Sequence, residues 1–128
     1  MKLLLDTHTA LWLVNDHEKL SSKAKAMLLD DANLLYISIV SAWEIAIKAS
    51  IGKLPEFYGG TRSFLAKLEE MPINFLHIEL DHIETLEKLP FVHRDPFDRM
   101  LVAVAKVENM TILTADENIY KYDAMTAW

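Results

Sequence analysis

Apolar and polar positions along this chain alternate between two periods. KLLL, residues 2–5, is a short unbroken apolar run that stops at Asp6, the pattern of a strand buried on both faces. THTALWLVN, 7–15, follows with Leu11, Trp12 and Val14 at helical spacing. SSKAKAMLLD, 21–30, opens on a serine cap and predicts a helix. NLLYISIV, 33–40, is β-rich and predicts a second strand. SAWEIAIKASIG, 41–52, predicts a helix with Ser41 as cap, Gly52 as stop, and Glu44 completing a capping box. KLPEFYGGT, 53–61, holds Pro55, Gly59 and Gly60 and is the most loop-like segment. A helix is expected over about 61–70, a third strand over INFLHIEL, 73–80, and a short helix over 81–89 capped by Asp81. In HRDPFDRMLVAVA, 93–105, Asp95 is placed to cap a helix from Pro96 to about Val107. TILT, 111–114, predicts another strand, and the closing AMTAW a short edge strand. With no repeat, low-complexity tract or linker, residues 1–128 read as a single domain.

Strands alternating with helices predict an α/β fold, a mostly parallel sheet of about four or five strands flanked by helices. Such sheets bind ligands outside the carboxyl ends of their strands. Asp6 directly follows the first strand, and Asp116 follows the strand at 111–114. Glu44 is expected in the first turn of the helix after the second strand. The helix from Pro96 leads into the strand at 111–114, so it runs antiparallel to it and brings its own start, with Asp98, to the same end. Four carboxylates from separate parts of the chain are thus expected at one edge. Each alone has an ordinary role as a cap or a turn residue. Together they are like charges costing about 4 kcal/mol per pair at ~4 Å and a protein-surface dielectric. They would tolerate this by raising their pKa values or by binding a cation. Oxygen donors without cysteine favour Mg2+, or Mn2+, over Zn2+.

Composition narrows the function classes. The chain has 128 residues, and its hydrophobic content of 52% suits a packed core and excludes a disordered chain. It has no cysteine, hence no disulfide, zinc-thiolate site or thiol nucleophile, which fits a cytoplasmic location. Asp6 and His8 interrupt the apolar N-terminal run, so neither a signal peptide nor a membrane span is expected. Thirteen basic against nineteen acidic residues leave a net charge of −6. Bulk electrostatics would not hold nucleic acid on such a surface. Binding would need a local basic patch or metal ions that offset the carboxylates.

LLLDTHTALW, SIVSAWEIAIKASIGKL, HRDPFDRMLVAVA and ILTAD, in that order and spacing, resemble the PIN-domain ribonucleases, and among them the VapC-type toxins of prokaryotic toxin–antitoxin pairs. The resemblance covers the whole chain. It implies that Asp6, Glu44, Asp98 and Asp116 form the family's acidic quartet, holding one or two Mg2+ or Mn2+ ions. It implies endonucleolytic hydrolysis of RNA to 5′-phosphate and 3′-hydroxyl ends. It also implies a small VapB-like antitoxin covering the acidic cleft, and a homodimer. Asp95 lies outside the quartet, as an accessory residue or only a cap. Thr7 and Thr114 sit beside matched acids and could bond a carboxylate or a water. Arg94, Arg99, Lys48 and Lys53 lie in or beside the motif blocks and are candidate phosphate contacts, though each could equally lie on a solvated face.

His8 and His93 stand two residues from Asp6 and Asp95, a weak zinc signal; His8 reads better as a polar neighbour of the site. His17, His77 and His82 read as structural or exposed. Trp12, Trp43 and Met100 fall on apolar helical faces and read as core or subunit contacts rather than base-stacking surfaces. Several rivals stay open. An aspartyl-nucleophile phosphoryl-transfer domain would want Asp-x-Asp after the first strand, where Asp6, Thr7 and His8 stand. An idle PIN-like binding module, or a PIN nuclease acting in RNA processing or on DNA, would keep the same residues. The short length without an added domain favours the toxin reading.

Overall fold

The computed structural model describes residues 1–15, 18–54 and 60–128. In chain order the elements are β1 (Lys2–Leu5), α1 (Thr7–Asn15), α2 (Ser22–Leu29), β2 (Leu34–Ser38), α3 (Ile39–Ser50), α4 (Gly60–Glu69), β3 (Ile73–Leu76), α5 (Leu80–Lys88), α6 (Pro96–Glu108), β4 (Thr111–Leu113), α7 (Glu117–Tyr120) and β5 (Thr126–Ala127). The five strands form one sheet in the order β3-β2-β1-β4-β5. Every neighbouring pair is parallel, with Leu5 opposite Ile37 on one side and Leu113 on the other. The expected α/β architecture is therefore observed.

Parallel pairing needs crossover helices, and these cover both faces of the sheet. The central strand shows it residue by residue. Leu3 and Leu5 join a core with Leu11, Leu28, Ile45, Phe64 and Leu68 on one face. Leu4 points the other way, into a core with Leu101, Val104, Ile112 and Ile119. All three leucines are fully buried. Five consecutive residues of α6, Leu101 to Ala105, are buried too, so this helix has no solvent stripe along that stretch. The small Ala103 and Ala105 let it lie close to its neighbours.

The chain runs from β1 outward through β2 to β3, then returns to the far side of β1 for β4 and β5. The switch in direction falls between β1 and β4, and the carboxyl ends of those strands flank the crevice where such folds bind ligands. Asp6 directly follows β1 there and Thr114 directly follows β4.

Several local boundaries differ from the sequence reading. The β-branched pair Ile39–Val40 reads as strand by propensity, but it opens α3. Ser38 is the cap, its hydroxyl accepting the Val40 amide at 3.1 Å. Ser41 is thus inside the helix and makes no capping box with Glu44. Glu44 falls in the second turn, as the sixth helical residue, not the first. The third strand ends at Leu76, shorter than expected. α5 is capped from Glu79, whose amide donates to His82 Nδ1 at 2.9 Å, rather than by Asp81. The one-turn helix α7 was not expected at all. Gly52 does stop α3: it takes φ +69° while its amide and that of Lys53 return to Ala49 and Lys48, a Schellman ending that a Cβ would strain. The loop expected at 53–61 falls largely on residues 55–59, outside the described residues, and Gly60 already belongs to α4.

Candidate active site

Asp6 is placed by the end of β1. Its carboxylate accepts the Thr9 amide at 2.7 Å on Oδ1, as a helix cap would, and the Thr114 hydroxyl on Oδ2. The Thr9 hydroxyl donates in turn to the Leu113 carbonyl at 2.8 Å, tying the start of α1 to β4. Thr114 also accepts the Asp116 amide at 3.0 Å, so one buried hydroxyl fastens the acids of two strands to each other. Asp116 caps α7, accepting the Asn118 amide at 2.9 Å. Replacing Thr114 by valine is expected to destabilise the protein by about 1–3 kcal/mol, because two buried partners lose their bond while the shape is kept. Urea denaturation measures this, and an unchanged midpoint would contradict it.

Glu44 reaches the same edge from the second turn of α3 and is buried. The Thr7 hydroxyl donates to its Oε1 at 2.6 Å and lies 3.1 Å from the Ser41 hydroxyl. Lys48, one turn on, donates to Oε2 at 2.8 Å. Lys48 is therefore a resident counter-charge of the site.

Asp98 lies in the first turn of α6 beside its cap, Asp95, whose Oδ1 accepts the Phe97 and Asp98 amides at 2.8 and 3.2 Å. Asp95 thus plays the capping part that the sequence allowed it. Asp98 meets His93 Nδ1 at 4.0 Å. That nitrogen also accepts the Asp95 amide at 3.3 Å. Burial, then the charges of Asp95, Asp116, Glu44 and Asp6, push the Asp98 carboxyl up to about 7. Burial also raises Asp6, against the hydrogen bonds from Thr114 and Thr9 and the field of His8. Asp98 thus feels Asp6, Glu44 and Asp116 together, and that is the convergence the sequence implied.

Among the described residues, no three His, Cys, Asp or Glu side chains close into a ready-made ligand shell. The donor set nevertheless suits a hard divalent cation. It is all oxygen, partly desolvated, and short of positive charge at Asp98.

The candidate phosphate contacts separate. Lys53 and Arg94 are exposed. Lys48 sits on Glu44. Arg99 is a correction, because its guanidinium is buried. Nη1 donates to the Pro90 carbonyl at 3.0 Å and the Tyr122 hydroxyl at 3.3 Å, and Nη2 to the Leu86 carbonyl at 3.3 Å. Stacked 4.6 Å over Phe91, it ties down the segment leading to Asp98 and has no reach to a substrate. Its spacing from Val102 and Ala103, three and four residues on, was the signal that it faces inward. Thr9 was not singled out from sequence, and Ser41 only as a helix cap; the Asp-x-x-Thr spacing of Asp6 and Thr9 was the available sign for the first.

The histidines are equally distinct. His8 is exposed beside Asp6, His77 is exposed, and His82 is buried with Nε2 2.8 Å from Glu108. His17 lies outside the described residues. Trp43 is 62% exposed and meets Phe97 edge-on, so it is not core. Trp12 and Met100 are partly buried.

The family model for the PIN domain matches residues 3–125. No curated protein matches the chain. Among solved structures, the chain is similar to one in VapBC2 from Rickettsia felis, bound to a DNA fragment from its promoter: TM-score 0.74, 15% identity, 99% of this chain and 98% of that one. VapBC-1 from nontypeable Haemophilus influenzae gives a TM-score of 0.69 at 16% identity, over 99% and 97% of the two chains. FitAcB from Neisseria gonorrhoeae gives 0.62 at 18%, over 97% and 95%.

Proposed function

Since the chain belongs to the PIN-domain family, we propose that it is a VapC-type toxin, a single-domain endoribonuclease over residues 1–128 that a VapB-like antitoxin neutralises. The observation that carries the reading is that Asp6, Glu44, Asp98 and Asp116, from four separate elements, gather at one sheet edge, where burial and then the neighbouring carboxylates push the half-buried Asp98 up to about 7. Holding such a cluster costs stability, and a fold keeps it where like charge is useful. The likeness to chains of VapBC and FitAB-type assemblies supports the pairing with an antitoxin, and a homodimer belongs to the same proposal.

Asp6, Asp98 and Asp116, with Glu44, are the residues that would hold Mg2+ or Mn2+. Bound there, a divalent cation lowers the pKa of an attacking water and offsets charge on the phosphate. The chain's own part is preorganisation. Thr114 fixes Asp6 against Asp116, Thr7 and Lys48 fix Glu44, and the Asp95 cap and Arg99 fix the turn that carries Asp98. Among the described residues, no helix is long and apolar enough to cross a membrane.

Purified chain, free of antitoxin, should cut labelled total RNA or tRNA in Mg2+ or Mn2+ and not in EDTA, with Asp6→Ala inactive. A folded chain that cuts no RNA with either metal would sink the reading. Lys53 and Arg94, both exposed, are proposed to contact substrate phosphates. Lys53→Ala and Arg94→Ala should each weaken RNA binding and lower the slope of log affinity against log salt by about 1. Unchanged affinity would remove them from the interface.

A further inference from the structure

Beside the acid cluster lies a cavity of about 290 Å³, lined by Asp6, His8, Trp12, Lys19, Ala115 and Asp116. Its walls are unlike. Asp6 and Asp116 form one. The other is aromatic: the exposed His8 ring lies 5.8 Å from Trp12, centroid to centroid, and Trp12 is backed by Trp128 at 5.7 Å. Trp12 also packs on the core beneath the sheet, which holds this wall in place. Lys19 Nζ stands 5.7 Å from the Trp12 ring centre, so a positive charge borders the aromatic wall.

We propose that this cavity is a subsite for the base of one nucleotide adjoining the phosphate that is cut, with the exposed His8 ring as its stacking face, Trp12, inclined at 46° to His8, as its side wall, and Lys19 beside the next phosphate; this rests on the RNA-cleaving reading above. Each wall matches a part of such a ligand. A flat heteroaromatic base has two π-faces to offer an imidazole or indole, whatever its sequence identity. Its phosphate would lie toward the carboxylates that would hold a cation and toward the lysine. A purely apolar ligand would leave Asp6 and Asp116 facing it unsolvated, and a cationic ligand would meet Lys19. The volume lies at the lower end for ligand pockets, roughly 300 Å³, which fits one nucleoside and not two. The subsite also gives Trp12 a role that its place on an apolar helical face did not suggest.

The test titrates the full chain, with Mg2+ present, with AMP, GMP, CMP, UMP and ribose 5-phosphate, following the His8 ring and Trp12 indole resonances by NMR. At least one nucleotide should bind about fivefold or more tightly than ribose 5-phosphate, with ring-current shifts at both residues. His8→Ala, an exposed change that spares the fold, should reduce the nucleotide to the level of ribose 5-phosphate, and His8→Phe should restore it. On single-stranded RNA, His8→Ala should raise KM about 5- to 50-fold, well beyond its effect on kcat. Equal binding of ribose 5-phosphate and nucleotides, or uptake of an arginine-bearing peptide that nucleotides fail to displace, overturns the proposal. RNA cleavage without base-dependent binding sinks the subsite and spares the nuclease; base-dependent binding by a chain that cuts no RNA does the reverse.

Discussion

Asp98→Asn is expected to silence cleavage and, at the same time, to stabilise the metal-free protein. In the fold, burial and four neighbouring carboxylates hold the Asp98 carboxyl at about 7, against about 3.9 for an unfolded aspartate. The folded state therefore binds this proton more tightly than the unfolded chain. The resulting stability is complete below about pH 4 and is lost as pH rises through 7. Asparagine cannot ionise, so the variant keeps what the aspartate loses. In EDTA the two proteins should unfold at similar temperatures near pH 4, and the variant should lead increasingly toward pH 8. Water still reaches part of the carboxyl, which cuts the gain to about 1–2 kcal/mol. At this chain length that corresponds to several degrees, roughly 3–5 °C per kcal/mol. Cleavage should fall by at least a hundredfold, since even disturbing the outer contacts of metal ligands commonly costs about 10–100-fold. Thermal melts across pH and a cleavage assay read both effects. A variant less stable than the parent at pH 8, or one as active, would contradict this role for Asp98.

Arg99→Ala carries the largest expected loss of stability. The buried guanidinium serves the carbonyls of Leu86 and Pro90 and the hydroxyl of Tyr122, which itself donates to the His93 carbonyl at 2.9 Å. Removing it takes one donor from each of three acceptors, leaves the Leu86 and Pro90 carbonyls with only the Leu89 and Val92 amides, and empties the buried space that the guanidinium fills. The expected cost is about 2–4 kcal/mol in urea denaturation. Arg99→Lys should recover little of it, because one ammonium cannot span three acceptors on separate segments. The segment from Leu86 to His93 sets the entry into α6, so activity of the folded fraction should also fall. A cost below about 1 kcal/mol, or full rescue by lysine, would show that Arg99 is only a surface residue turned inward.

The central features of the fold were legible because they rest on strong local patterns. Three consecutive leucines after Lys2 can only be buried on both faces, and the Asp95–Pro96 pair starts a helix whatever follows. From those, chain direction alone brought Asp6, Asp98 and Asp116 to one edge. Ile39 and Val40 misled because β-branched residues favour strands, and tertiary packing of α3 outweighed that preference. The resulting shift of the helix start moved Glu44 by a turn without removing it from the site, since α3 still begins at the same sheet edge. Arg99 misled differently. Its charge suggested solvent, whereas its helical neighbours Val102 and Ala103 point into the core. That Thr114 could bond a carboxylate was legible from its place beside Asp116, but its bond to Asp6 was not, because residues 108 apart meet only through strand order.

The measurement that bears most directly on the account is Mn2+ binding to the metal-free chain by electron paramagnetic resonance, with Asp98→Asn and Asp6→Asn alongside. The account predicts saturable binding of one or two ions, competed by Mg2+ and weakened at least about tenfold in each variant. Binding that is absent, or as strong in both variants as in the parent, would mean that the four acids gather only as helix caps and turn residues.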